Sequence, residues 1–189
     1  IEAALAWSRE QAERGANVYF TPAAFRDRGS RRRKHNVRSL RDLFVDIDTL
    51  ETKKEPVLDQ RLDPAQAAVR YEAAMAEYRT IYPTRSAALE TLGEVVAALD
   101  LPDPWIVSSG GGLHVHWALN EDLELHDWLP LANRLRDRLV EAGLRFDAAL
   151  TVNPTCLLRP PGTKNHKPSL PKPRMVQVMN TEAPEPVPV

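Results

Sequence analysis

The order of strand-like and helical segments in this sequence permits an α+β domain, and three observations carry that expectation. Leu43–Ile47, Trp105–Val107 and Leu113–Leu119 are short apolar runs rich in strand formers. The stretches between and after them have helical spacing, and Ser108-Ser109-Gly110-Gly111-Gly112 joins the last two runs as a hairpin with a glycine-rich bend. At 189 residues the chain fits one domain that can bury a core, with room for two packed lobes.

The elements follow in order. Glu2 to Arg14 has helical spacing, with Gly15 as its stop, and a short strand is expected at Val18–Phe20. Thr21-Pro22 turns the chain into Arg26–His35, where Gly29, Ser30 and the consecutive cations Arg31, Arg32, Arg33 and Lys34 predict an exposed loop. Leu43–Ile47, apolar apart from Asp46, predicts a central strand. Asp63-Pro64 opens a helix that runs through Ala65–Tyr78, with Asp as N-cap and Pro at the first position. Thr84–Leu99 is a second helix, closed by Leu101-Pro102. After the hairpin, Trp128–Ala142 places Leu131, Leu135 and Leu139 on one stripe, and Gly143 ends it. A short strand, Leu144–Phe146, is expected to deliver Asp147, and Met175–Met179 to add a last strand at the edge or back on the sheet. Residues 1–182 are thus expected to form one domain. Ala183–Val189, with three prolines, predicts the start of a linker to a further domain.

Composition bounds the function. No apolar run approaches the roughly 18 residues of a membrane span, and the chain opens at Ile1 without a leader, so it reads as a non-secreted piece of a longer product. The single cysteine, Cys156, can form no internal disulfide; it suits a reducing cytoplasm and predicts a small buried apolar residue. The net charge of −1 conceals segregation: Arg26–Arg41 holds eight Lys or Arg against one acid, and Leu157–Arg174 five against none. Acids gather between Glu51 and Asp100, which suits a basic track for a polyanion opposite a solvated acidic face. No GxxxxGKS or GxxxxGKT phosphate loop is present, which argues against a helicase or ATPase.

Asp46 and Asp48 stand at i and i+2 of one strand, so they face one side with Cα atoms about 7 Å apart. Such carboxylates repel unless a hard cation or a basic side chain neutralises them, the plain alternative being a strand-end acid and a turn cap. His114 follows the glycine bend, where backbone N–H groups can approach a phosphate and an imidazole can donate to its oxygen; the alternative is a simple hairpin turn. His116 shares its face, but no third zinc ligand stands at a recognisable spacing, so it is assigned to packing or to support of His114. Asp147 adds the third acid that a two-metal site for phosphoryl displacement needs. Arg159-Pro160-Pro161-Gly162-Thr163-Lys164-Asn165-His166-Lys167 is a proline-stiffened cationic loop suited to a triphosphate or a template backbone.

A strand ending in hhhDhD, an SGxGxH hairpin, then hhD and an R-x-PGT-x-N-x-K loop resemble, in that order, the archaeo-eukaryotic primase superfamily, above all the primase-polymerase domains of phage and plasmid replication proteins. The resemblance spans Val18 to Lys167. It implies a sheet like that of the RNA recognition motif, antiparallel and backed by helices, joined to a smaller N-terminal α/β lobe with the site in the cleft between. It further implies Asp46, Asp48 and Asp147 as ligands of two Mg²⁺ or Mn²⁺ ions and His114 as a triphosphate contact. Ser109, Gly110 and Gly112 would shape the nucleotide loop, with Arg159, Asn165 and Lys167 touching nucleotide or template. Arg31, Arg32, Arg33, Lys34 and Lys164 are the candidate nucleic-acid contacts. The implied activity is template-directed nucleotidyl transfer from ribo- or deoxynucleoside triphosphates during phage or plasmid DNA replication in a host cytoplasm. Single-stranded DNA and primer are the implied partners, with a helicase or helical domain in the same protein. Tyr19 and Phe20 are loose candidates for reading the sugar. Thr49, which adds no ligand after Asp48, and Asn153, where relatives often carry Asp, depart from the pattern. The rival readings are a metal-dependent nuclease on the same acids and a DNA-binding replication initiator without catalysis.

Overall fold

A computed structural model describes residues 2–29, 32–168 and 170–189. Five strands form one antiparallel sheet in the order β1-β2-β4-β3-β7, with β1 at Ala23–Phe25, β2 at Val37–Asp48, β3 at Trp105–Ser108, β4 at Gly112–Leu123 and β7 at Gln177–Val178. A separate ribbon pairs β5, Lys164–Asn165, with β6, Arg174–Met175.

The long pair β2–β4 is the spine, and its register fixes every later argument: Leu43 opposes Trp117, Phe44 His116, Val45 Val115, Asp46 His114, Ile47 Leu113 and Asp48 Gly112. Because successive side chains on a strand face opposite ways, Val45, Ile47, Leu113, Val115 and Trp117 go to one face. There they are buried with Leu92 and Val95 of α3, Arg85–Ala98, and with Leu135 and Leu139 of α4, Leu125–Glu141. Asp42, Phe44, Asp46, Asp48, His114 and His116 go to the other. A bulge between Leu40 and Asp42 shifts the register. Beyond it Leu40, Phe44, Leu119 and Leu123 form a second core with Trp128, whose ring stacks on Phe44 at 5.8 Å and whose Nε1 donates to Asp42 O at 2.8 Å.

The helices start where local chemistry directs them. Asp63 caps α2, Pro64–Thr80, by accepting from the N–H groups of Ala65 and Gln66, and Thr84 caps α3 by accepting from Ala87 N–H. The expected first helix is α1, Glu2–Glu13, and α4 begins at Leu125, ahead of the expected Trp128, carrying Pro130 inside its first turns. Among the described residues no helix is long and apolar enough to cross a membrane. Cys156 is buried, and burial pushes its thiol up to about 12, so it behaves as a small apolar residue.

Three local expectations need correction. Val18–Phe20 is not a strand: Phe20 makes a single bridge to Leu158, and the edge of β2 is taken by Ala23–Phe25. Leu144–Phe146 is not a strand either, because the chain turns at once into α5, Ala148–Thr151, capped by Asp147. The expected Met175–Met179 strand is broken into β6 and β7, since Val176 N–H turns to Thr163 O while β7 adds to the sheet edge at β3. Within 183–189, Val187 exchanges hydrogen bonds with Ala118 and Asn120 of β4.

Candidate active site

Asp46 lies between two neighbours from opposite edges of β2. On the β4 side stands His114, its cross-strand partner. On the other, Asp147 N–H donates to Asp46 O at 2.8 Å, so the chain after α4 is fastened to the strand at Asp46. The structure therefore brings Asp46, Asp48 and Asp147 into one electrostatic neighbourhood. Burial first, then the charges of Asp48 and Asp147, push the Asp46 acid up to about 7, while Lys167 and Lys53 pull it back. Its side chain keeps 27% exposure, so solvent can reach it. Asp48 is paired with Lys53 at 2.9 Å, and Asp147 Oδ1 accepts from Leu150 N–H at 2.9 Å as the cap of α5.

His114 is buried, and burial, then the charges of His116, Arg159 and Lys167, push its imidazole down to about 3. It is neutral at ordinary pH, so its 3.9 Å approach to Asp46 is no ion pair. Its Nδ1 is buried with no hydrogen-bond partner among the described residues.

The glycine bend is shaped by close approach. A Cβ on Gly112 would stand 2.1 Å from Ile47 O, Gly110 has φ +78°, and Ser109 N–H closes the turn on Gly112 O at 3.0 Å. Gly111 O accepts from Thr49 N–H at 3.3 Å and from the hydroxyls of Thr49 and Thr52 at 3.1 Å each. Thr49 thus pins the loop instead of adding a ligand. Asn165 is also buried: Nδ2 donates to Ser109 O at 3.0 Å and Oδ1 accepts from Lys167 N–H at 3.1 Å. Its amide fastens the cationic loop to the glycine bend and thereby carries Lys167 toward Asp46. Arg159 is buried, donating to Tyr19 Oη at 2.7 Å.

Among the candidate nucleic-acid contacts, Arg33 and Lys34 are exposed, Arg32 donates to Thr155 O at 2.7 Å, and Lys164 pairs through its backbone with Met175. Arg31 lies outside the described residues.

Two groups escaped sequence reasoning. His116 Nδ1 lies 2.5 Å from Asp42 Oδ2, forming a half-buried pair beside the three acids; the signal was the alternation of Asp42, Phe44, Asp46 and Asp48 on one face. Glu51 gathers Arg174 at 3.2 Å and Arg85 at 3.4 Å, and Arg85 N–H, then its charge and that of Arg174, hold the Glu51 acid below the usual carboxylate range. Arg85 also donates to Ser108 Oγ at 2.7 Å, beside the bend. No local spacing joins residues so far apart in the chain.

As they stand, no three acidic, histidine or cysteine side chains among the described residues are grouped closely enough to cage a metal ion. The donor chemistry nonetheless fits a hard divalent cation: three oxygen-donor carboxylates, with the Asp46 acid pushed up to about 7 by burial first and then by the charges of Asp48 and Asp147.

No protein-family model matches the sequence, and no curated protein matches it. Among solved structures, the fold is similar to the AEP (archaeo-eukaryotic primase) domain of the primase-polymerase of cyanophage S-2L, with a TM-score of 0.51 and 17% sequence identity, over 94% of this chain and 69% of that chain. The likeness is one of fold: a mixed α/β domain around an antiparallel sheet.

Proposed function

We propose that this chain is the catalytic domain of a primase-polymerase, joining nucleotides on a single-stranded DNA template. The observation that carries this reading is the shared electrostatic neighbourhood of Asp46, Asp48 and Asp147, with neutral His114 on one side of Asp46 and the charge of Lys167 within reach. In the reaction a 3′-hydroxyl of a primer, or the hydroxyl of an initiating nucleotide, attacks the α-phosphate of an incoming nucleoside triphosphate. The new bond is a phosphodiester, and pyrophosphate leaves.

Asp46, Asp48 and Asp147 would hold Mg²⁺ or Mn²⁺, which when bound activates the hydroxyl and neutralises the leaving phosphates. Everything else is positioning. His114, kept neutral, offers a hydrogen bond to a phosphate oxygen without adding a charge beside the acids. Lys167 carries the positive charge for the triphosphate tail, and Asn165 sets its position. Ser109, Gly110 and Gly112 hold the bend against β2, while Arg159 stiffens the base of the cationic loop through Tyr19. The exposed cations Arg33 and Lys34, with Arg31, Arg32 and Lys164, serve the template backbone.

The test is primer extension and de novo synthesis on single-stranded template with Mg²⁺ or Mn²⁺. Synthesis is expected in the wild type and lost in the Asp46→Ala, Asp48→Ala double variant. Wild-type rates in that variant, or strand hydrolysis without added nucleotide, would sink the reading, the second outcome in favour of a nuclease.

A further inference from the structure

Lys53 is a cation among the three acids to which nucleotidyl transfer has so far given no task. Its Nζ lies 2.9 Å from Asp48 Oδ2, and both side chains are partly exposed, at 34% and 42%. Its charge also acts on Asp46, where with Lys167 it opposes the repulsion of the two other carboxylates. We propose that Lys53 is an exchangeable counter-ion: a divalent cation that takes Asp48 releases the lysine, which then pairs with a phosphate oxygen of the incoming nucleotide. The proposal rests on the metal and nucleotide sites of the nucleotidyl-transfer reading and adds a residue that couples one to the other.

Place is the first argument. Asp48 ends β2 directly opposite Gly112, so it stands beside the glycine bend. The chain between Asp48 and Lys53 is fastened to that same bend: Thr49 N–H, Thr49 Oγ1 and Thr52 Oγ1 donate to Gly111 O at 3.3, 3.1 and 3.1 Å. Leu50 N–H donates to Tyr82 O at 2.8 Å, and Lys53 N–H closes the single turn Leu50–Thr52 by donating to Leu50 O at 3.2 Å. The backbone of Lys53 is thus fixed where the acids adjoin the bend, while its long flexible stem lets the ammonium swing. A short arc carries it from Asp48 to a phosphate lying along the bend, with no movement of the backbone.

Charge is the second. An ammonium and a divalent cation held on one carboxylate repel each other, and a partly exposed lysine pair is weak enough to be broken. A triphosphate brings several negative charges to the bend, where Lys53 gains a charge-assisted hydrogen bond in place of the one it gave up. Metal and nucleotide then favour one another, because each draws the same side chain in the direction that the other needs.

The test is a thermal-unfolding titration of the whole chain, first with Mn²⁺ alone and then with dCTP at saturating Mn²⁺, so that neither readout requires synthesis. The uncharged variants Lys53→Met and Lys53→Gln are each expected to reach half of the Mn²⁺-induced rise in Tm at about fourfold lower Mn²⁺ than the wild type, because the competing charge is gone. Both are expected to need about fivefold more dCTP for half of the second rise, because a phosphate contact is gone. Lys53→Arg, which keeps the charge, is expected to stay near the wild type in both titrations. A lysine that only braced the turn would weaken both responses or neither, so opposite signs are the mark of exchange. A Mn²⁺ midpoint unchanged or raised in the uncharged variants, or a dCTP midpoint unchanged in them, overturns the proposal. Opposite shifts in a domain that makes no product overturn the polymerase reading and leave the exchange standing, whereas a wild-type Tm indifferent to Mn²⁺ overturns both.

Discussion

Two half-buried carboxylates on one face of β2 have opposite fates. Asp42 and Asp46 are four residues apart, both desolvated, and both have a histidine from β4 as neighbour. Asp42 has its imidazole at 2.5 Å, and although burial raises its acid, the charge and hydrogen bond of His116 oppose the rise. Asp46 has no such partner: His114 is 3.9 Å away and neutral, and its nearest charged neighbours include two further carboxylates. One site is closed by the protein itself. The other is left short of positive charge at a place solvent can reach, which is how a cation site differs from a structural ion pair.

The widest separation between the two is expected in activity. Removing Asp46 and Asp48 should cut synthesis by on the order of a thousandfold or more while circular dichroism stays native, because the loss falls on the transition state. Asp42→Ala should do the reverse. It strands His116 in a half-buried position and is expected to cost about 2 kcal/mol in urea denaturation, with the surviving folded fraction still active. Equal loss of activity in both variants would erase the distinction.

Asp46→Asn sharpens the contrast. An acid whose folded value stands at about 7 against 3.8 in the open chain keeps its proton longer when folded, so its contribution to stability falls as pH rises from about 4 to 7. Without metal, the variant is therefore expected to exceed the wild type by about 1–3 kcal/mol at pH 8 and to show no gain at pH 4; solvent access to the side chain keeps the figure below the full shift. His114 has the opposite slope. Neutral when folded down to about 3, against 6.5 unfolded, it loses stability as pH falls from 6.5 toward 3. In the wild type the two slopes oppose each other between about pH 4 and 6.5. Asp46→Asn should expose a clean rise of stability with pH across that window, and a flat profile there would contradict the neutral buried imidazole. Mn²⁺ should raise the Tm of the wild type and leave this variant unmoved.

The smallest effect belongs to the brace. Asn165→Ala frees the cationic loop from Ser109 O and is expected to cost about 1–2 kcal/mol, and to raise the KM for nucleotide several-fold by letting Lys167 drift. A change in kcat alone would instead place Asn165 nearer the reacting atoms.

Much of this was legible in the chain. The apolar run Leu43–Ile47, rich in strand formers, announced a central strand, and the two-residue period put Asp46 and Asp48 together on one face. Asp63-Pro64 and the glycine bend named their own geometry, because capping and close backbone approach act within a few residues. The misreadings share a cause. Val18–Phe20 and Leu144–Phe146 have strand composition, but a strand exists only with a partner along its length; the edge of β2 is held by Ala23–Phe25 at one end and by the single hydrogen bond of Asp147 at the other. Asp147-Ala148-Ala149-Leu150 carried the cap of α5 in plain view, masked by the expectation of a strand before it.

By itself, the sequence determined which residue types could do the chemistry and which face of each strand would carry them, since both depend on side-chain identity and a two-residue period. Only the tertiary structure decided which acid would go without a counter-charge. That depended on the β2–β4 register that leaves Asp42 within side-chain reach of His116 on one face, on one hydrogen bond that draws Asp147 to Asp46, and on an asparagine that fastens a loop to a bend 56 residues earlier. Burial and Coulomb interaction act through space, and chain separation says nothing about either until the fold has closed.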